Sequence, residues 1–226
     1  MRKNLTEIVF ILDRSGSMEG LEKDTIGGYN SFLQKQKKVD GEAYISTVLF
    51  DTGITVLHDR QNIKDVKLLT DDDYVPGGLT ALLDAVGGAI KHIGNIHKYA
   101  RKEDVPEKTI FVIITDGMEN ASRRYTYSDV QNLIENQKEK YGWEFLFLGA
   151  NIDAPREARR FGISEDRSVT YKNDKEGVSN NFGLLSNLMQ WFIVKDNESD
   201  DFEYEKEKHI TSMRCKISED VKKRGK

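Results

Sequence analysis

The chain has one cysteine, Cys215, in 226 residues, which excludes an internal disulfide and leaves the thiol free. Its immediate neighbours in the tail include no histidine or second cysteine to activate it, so it is expected to be inert. Long apolar runs are also missing. Nothing approaches the roughly 20 residues of a membrane-spanning helix, and no membrane association is expected. The N-terminus, Met1-Arg-Lys-Asn-Leu-Thr, has neither the apolar stretch nor the small-residue cleavage site of a secretory leader; the expected compartment is the cytoplasm. A net charge of -4 gives no basic footprint for nucleic acid. No phosphate-loop pattern, repeat or internal linker occurs. What remains, 38% apolar and 32% charged residues, suffices for one domain with a sizeable core and a well-charged surface.

The most informative stretch is Asp13-Arg14-Ser15-Gly16-Ser17, which follows the run Ile8-Val9-Phe10-Ile11-Leu12. Consecutive apolar, β-branched-rich residues that stop abruptly at a polar loop read as a strand buried on both faces, at the centre of a parallel sheet. Ligands of open α/β sheets bind just outside the carboxyl ends of such strands. One carboxylate and two hydroxyls at alternating positions there are hard oxygen donors, suited to Mg²⁺, Mn²⁺ or Ca²⁺. Asp and Ser are equally the usual residues of a helix N-cap. On this loop alone both readings stand.

Downstream, helical spacing of Ile26, Tyr29, Phe32 and Leu33 predicts a helix over about 21–38, with Gly27-Gly28 marking close packing. A strand at 43–50 and a second at 54–58, joined by Asp51-Thr52-Gly53, predict an antiparallel edge hairpin. Asp71-Asp72-Asp73 reads as a solvated turn, because consecutive side chains diverge and repel. A break at Pro76-Gly77-Gly78-Leu79-Thr80 precedes a long helix over about 81–99, on which His92 and His97 are ordinary surface or packing residues. A second uninterrupted apolar strand, 108–115, ends in Asp116-Gly117. Thr126 and Asp129 resemble a capping box for a helix that Gly142 ends, and strand 143–148, helix 154–161, strand 168–171 and helix 177–194 complete the alternation. The expected fold is α/β: a doubly wound, mainly parallel, Rossmann-like sheet of about six strands with helices on both faces. The domain is expected to span 5–194, and residues 195–226 a charged extension, partly helical or disordered.

The two long apolar strands are the natural central pair, and each is followed at once by an aspartate. Neighbouring strands lie roughly 5 Å apart, so Asp13 and Asp116 would converge on one crevice, and the loop before Ala81 would bring Thr80 to the same end. Asp13, Ser15, Ser17, Thr80 and Asp116 then face one point, which favours the metal reading over the cap.

Asp13-x-Ser15-x-Ser17, Gly78-x-Thr80 and Thr115-Asp116-Gly117, in that order on three separate strand-to-helix junctions, resemble the metal-ion-dependent adhesion site of von Willebrand factor type A (VWA) domains, including integrin I domains. The resemblance implies that Ser15, Ser17 and Thr80 are neutral ligands of Mg²⁺ or Mn²⁺, that Asp13 and Asp116 supply charge partly through water, and that an acidic side chain of a protein partner completes the shell. It also implies that the last domain helix, 177–194, is the element that moves. Two carboxylates leave a divalent cation formally neutral and electrophilic, and a helix starting after Ser17 would favour an incoming anion.

The expected function is therefore a non-enzymatic, metal-dependent protein-binding module. A metal-assisted hydrolase is the alternative, with Glu119 as the one available base; a purely structural metal is a third reading. Glu119 and Asn120 are expected either to support the site or to cap the turn. Arg14, exposed, and Arg123 and Arg124 are candidates for a positive rim, against plain solvated surface. Glu198, Asp200 or Asp201 of the tail is a candidate pseudo-ligand for the metal of the same or another molecule.

Overall fold

The computed structural model describes residues 1–225. Six strands, β1 (Arg2–Asp13), β2 (Glu42–Phe50), β3 (Ile54–Asn62), β4 (Pro106–Thr115), β5 (Glu144–Ala150) and β6 (Ser168–Tyr171), form one sheet in the order β3-β2-β1-β4-β5-β6. All neighbours are parallel except β2 and β3, the expected antiparallel edge pair. β1 lies between β2 and β4, with Leu12 opposite Ile114. Here the winding reverses, so the loops leaving β1 and β4 part and open a crevice at the carboxyl ends of the strands.

Alternation of side chains along β1 divides the core. Ile8, Phe10 and Leu12 face α1 (Glu22–Gln36) and α5 (Lys175–Val194); Val9 and Ile11 face α2 (Leu82–Tyr99), α3 (Tyr127–Tyr141) and α4 (Ala154–Arg160). Full burial of each large apolar side chain contributes about 1.5–3 kcal/mol. Gly28 lets α1 meet α5 closely, since a β-carbon there would lie 2.4 Å from Phe182 Cδ2, whereas Gly27 has nothing within 4 Å and serves no close approach. The expected capping box forms at Thr126 and Asp129, and Gly142 ends α3 in the left-handed conformation.

Residues read as a charged extension include a 23-residue helix, α6 (Phe202–Arg224). Phe202, Ile210, Met213 and Ile217 are buried and join the core on the α1/α5 face. Lys206 occupies the same stripe and pairs with Glu144 at 2.8 Å and Glu203 at 2.6 Å. A lysine on the stripe and charges around it hide the helical pattern in the sequence. Among the described residues no helix is long and apolar enough to cross a membrane.

Candidate metal centre

Backbone bonds assemble the crevice first. Gly16 N donates to Gly78 O at 3.2 Å and Gly77 N to Arg14 O at 2.9 Å, which locks the loop before α2 onto the loop after β1. Gly78 makes that approach with φ +69°, and a β-carbon on it would lie 2.6 Å from Thr52 Oγ1. A short 3₁₀ turn, Gly16–Met18, separates the loop from α1, which starts at Glu22, one residue from the expected position. Arg14 is not the exposed rim residue the sequence suggests. Its Nε donates to Asp51 Oδ2 and its Nη2 to Thr55 Oγ1, both at 2.9 Å, tying the β2–β3 turn to the loop.

The five candidate donors are brought together. Asp13 is 1% exposed; its Oδ1 accepts from Ser15 N at 2.7 Å and its Oδ2 from Thr115 Oγ1 at 2.6 Å. Ser17 Oγ donates to Asp116 Oδ1 at 2.5 Å, and the Ser15 and Ser17 hydroxyls are 3.1 Å apart. A hydroxyl has one proton, and Ser17 gives its own to Asp116, so Ser15 is the donor in that pair. Thr80 joins from the third junction: a β-carbon on Gly117 would lie 3.3 Å from Thr80 Oγ1 and 3.8 Å from Ser17 Oγ.

Residues that the sequence reading missed or left open hold this group in place. Asn120 clamps Thr80 from both sides, its Oδ1 accepting from Thr80 N at 2.8 Å and its N–H donating to Thr80 O at 3.1 Å. Glu119 caps: Oε1 accepts from the Ala121 and Ser122 N–H groups, and Oε2 from Leu83 N and Ser122 Oγ. The Tyr74 hydroxyl, buried behind the triple aspartate, donates to the Asp13 carbonyl. Asn173, between β6 and α5, donates from Nδ2 to Asp116 Oδ2 at 2.9 Å. A lone Asn after a short strand carries no signal in sequence. Arg123 and Arg124 donate their backbone N–H groups to Asp84 and leave their side chains exposed. Glu198 pairs with Lys3 at 2.7 Å, at the opposite end of β1 from Asp13, some ten residues or about 33 Å away; Asp201 pairs with Lys195 at 2.8 Å. The reading of the tail as a pseudo-ligand within the same molecule is thereby corrected for both.

Electrostatically the crevice is short of positive charge. Burial raises the pKa of Asp13 against the bonds from Thr115 and Ser15. Burial also raises that of Asp116, against the Ser17 bond and reinforced by the charge of Asp13. Tyr171 and Tyr74 are pushed up by burial and by the same two carboxylates. The leading influences on Asp13 and Asp116 are burial, hydroxyls, amides and, for Asp116, the other carboxylate, with no lysine, arginine or histidine among them. Among the described residues no three His, Cys, Asp or Glu side chains cluster as a metal site; this donor set is two carboxylates and three hydroxyls.

Paired aspartates and hydroxyls thus stand at the switch point of an open, mostly parallel α/β sheet. No protein-family model matches the chain, and no curated protein matches its sequence. Solved structures match in fold. The von Willebrand factor domain of the type V pilus tip protein Mfa5 from Porphyromonas gingivalis aligns with a TM-score of 0.59 at 12% identity, over 88% of this chain and 100% of that one. Proximal thread matrix protein 1 from the mussel byssus aligns with a TM-score of 0.55 at 18% identity, over 82% of this chain and 46% of that one. This chain thus spans about half the length of the mussel protein. A further structure of that protein, with a TM-score of 0.56 at 15% identity over 83% of this chain and 46% of that one, has a zinc-occupied metal-ion-dependent adhesion site. The chain has the von Willebrand factor type A fold.

Proposed function

We propose that this protein is a metal-dependent protein-binding module, not an enzyme. In this reading Asp13, Ser15, Ser17, Thr80 and Asp116 hold a divalent cation, Mg²⁺ in the first place with Mn²⁺ or Ca²⁺ as substitutes, and an Asp or Glu side chain of a protein partner docks on it. The observation that carries the reading is the pair of buried carboxylates whose leading influences, among the described residues, include no cationic side chain. Buried charge is costly unless paired, and hard oxygen donors suit a hard cation. When bound, the cation would supply an electrophilic position for a carboxylate oxygen.

The chain's own residues do the rest. Thr115 and Ser15 orient Asp13, Ser17 and Asn173 orient Asp116, and Asn120 fixes Thr80. Leu79 and Met118, neighbours of Thr80 and of the Asp116 loop, are 55% and 60% exposed and offer apolar contact beside the charged centre, as a protein interface does. The hydrolase alternative fares worse, because both oxygens of Glu119 already accept hydrogen bonds inside its own turn and at α2.

The test is affinity capture on the immobilised full chain in Mg²⁺, elution with EDTA, and identification by mass spectrometry. Partners that elute with EDTA and are absent from an Asp116→Ala column are the expected result. Partners retained equally with EDTA and Mg²⁺ would refute it, as would Mg²⁺-dependent ester or phosphate hydrolysis lost in Asp116→Ala.

A further inference from the structure

The loop Lys172-Asn173-Asp174, between β6 and α5, holds a polar atom that the contacts above leave unexplained. Asn173 Nδ2 donates to Asp116 Oδ2 at 2.9 Å, while Asn173 Oδ1 is buried and meets no hydrogen-bond donor among the described residues. Chemistry dictates this orientation. A carboxylate only accepts, so the amide NH₂ must face Asp116 and the carbonyl oxygen must be the atom left over. Buried acceptors are rarely left without a donor, and one that is calls for an explanation, of which a bound water or ion is one kind.

Both sequence neighbours of Asn173 are tied to the last turn of α6. Asp174 Oδ1 caps α5 by accepting from Gly177 N at 2.9 Å, and the Arg224 guanidinium donates to the same oxygen. Lys172 Nζ donates to the Arg224 carbonyl at 3.0 Å. Arg224 is itself steadied by Asp220, one turn back. A continuous path of polar contacts and one peptide link therefore runs from the end of α6 through Asp174 and Asn173 to Asp116.

We propose that Asn173 is a positioning residue of the metal centre and that the end of α6 is the latch that keeps it there. Nδ2 aims Asp116, Oδ1 serves the hydrated cation as an acceptor, and the Arg224–Asp174 pair holds the loop in register. The inference rests on the metal reading above, and the experiment separates the two.

Mn²⁺ alone is titrated into the full chain, free ion is followed by its paramagnetic resonance signal, and thermal melts are run with and without Mn²⁺. Absence of binding by the wild type would overturn both the metal reading and this inference. Given wild-type binding that Asp116→Asn abolishes, Asn173→Ala is expected to weaken Mn²⁺ by about 10–100-fold, the usual effect of removing a partner that orients a ligand. Asn173→Asp replaces the donor with an anion facing Asp116, so it is expected to melt lower without metal and to gain more on adding Mn²⁺ than the wild type does. A residue that merely braced the loop would lower both melts and leave the Mn²⁺-induced gain unchanged. Arg224→Ala is expected to weaken Mn²⁺ binding and to add nothing further in an Asn173→Ala background. Wild-type affinity in Asn173→Ala would overturn the role of Asn173 with the metal site intact. Wild-type affinity in Arg224→Ala, or effects that simply add, would overturn the latch.

Discussion

Replacing Asp116 by Asn changes one charge and almost no volume, and its expected effect has opposite signs with and without metal. In the native crevice Oδ1 accepts from Ser17 and Oδ2 from Asn173. An amide keeps both contacts, since its own Oδ1 still accepts from Ser17 and a rotated Asn173 amide presents its oxygen to the new NH₂. What is lost is the charge assistance, about 1 kcal/mol per bond. What is gained is relief from burying a carboxylate beside Asp13, and the raised pKa of Asp116 says that burial and repulsion outweigh the hydrogen bonds. A carboxyl with a raised folded pKa contributes stability that is full below its unfolded value, about 4, and is lost as pH rises through the folded value. Once the pH exceeds the folded value that stability is gone, so there the metal-free Asp116→Asn variant is expected to be at least as stable as the wild type. With metal the order reverses. At a hundredfold excess over the dissociation constant a ligand stabilises by about 2.7 kcal/mol, which for a domain of this size is roughly 5–10 °C in Tm. The wild type is expected to gain that on Mg²⁺ addition and the variant nothing. Differential scanning calorimetry in EDTA and in Mg²⁺ measures all four values. An equal Mg²⁺ gain in both proteins, or a metal-free variant several degrees below the wild type, would refute the reasoning.

Three further changes test the frame around the crevice. Gly78→Ala places a β-carbon 2.6 Å from Thr52 Oγ1 at φ +69°; a loss of about 1–3 kcal/mol is expected in urea denaturation, and an unchanged midpoint would show that the loop relaxes freely. Ile210→Ala opens a cavity under α6, where Ile210 is 0% exposed; a loss of about 2–5 kcal/mol in one cooperative transition is expected. Separate melting of α6 before the sheet would contradict its place in the core. Glu7, also 0% exposed, bonds Arg60 at 2.6 Å and His97 at 2.5 Å. Glu7→Ala strands the Arg60 charge and is expected to cost about 3–5 kcal/mol, and a loss below about 1 kcal/mol by chemical denaturation would show that water reaches the pair.

Those residues mark the boundary of what was legible beforehand. The runs Ile8–Leu12 and Lys108–Thr115 announced a central parallel pair because strands covered on both faces leave no room for polar alternation. Once those strands were neighbours, Asp13 and Asp116 had to meet, since each is the residue at which its strand stops. His97 reads in sequence as an ordinary surface or packing residue; the fold gives it a buried partner in Glu7, midway along β1. Arg14 misleads for the opposite reason: it sits inside the motif, and only the fold brings Asp51 and Thr55 within its reach. The stripe Phe202, Ile210, Met213 and Ile217 escapes notice because charged residues dilute it, and burial is decided by what α5 and β6 offer as a surface.

By itself, then, the sequence determined the order of elements through α5, the central strand pair, four candidate oxygen donors at their ends and a fifth, Thr80, at the break before α2, because side-chain periodicity, strand termination and helix starts are local properties. Tertiary structure alone decided what surrounds those donors: Asn120 on Thr80, Tyr74 under Asp13, Asn173 on Asp116, and α6 gripping the loop that carries Asn173. Each of these contacts joins residues at least forty positions apart. No local pattern encodes them; they exist because a hydrogen-bonding group buried by the fold must find its partner in whatever the fold places beside it.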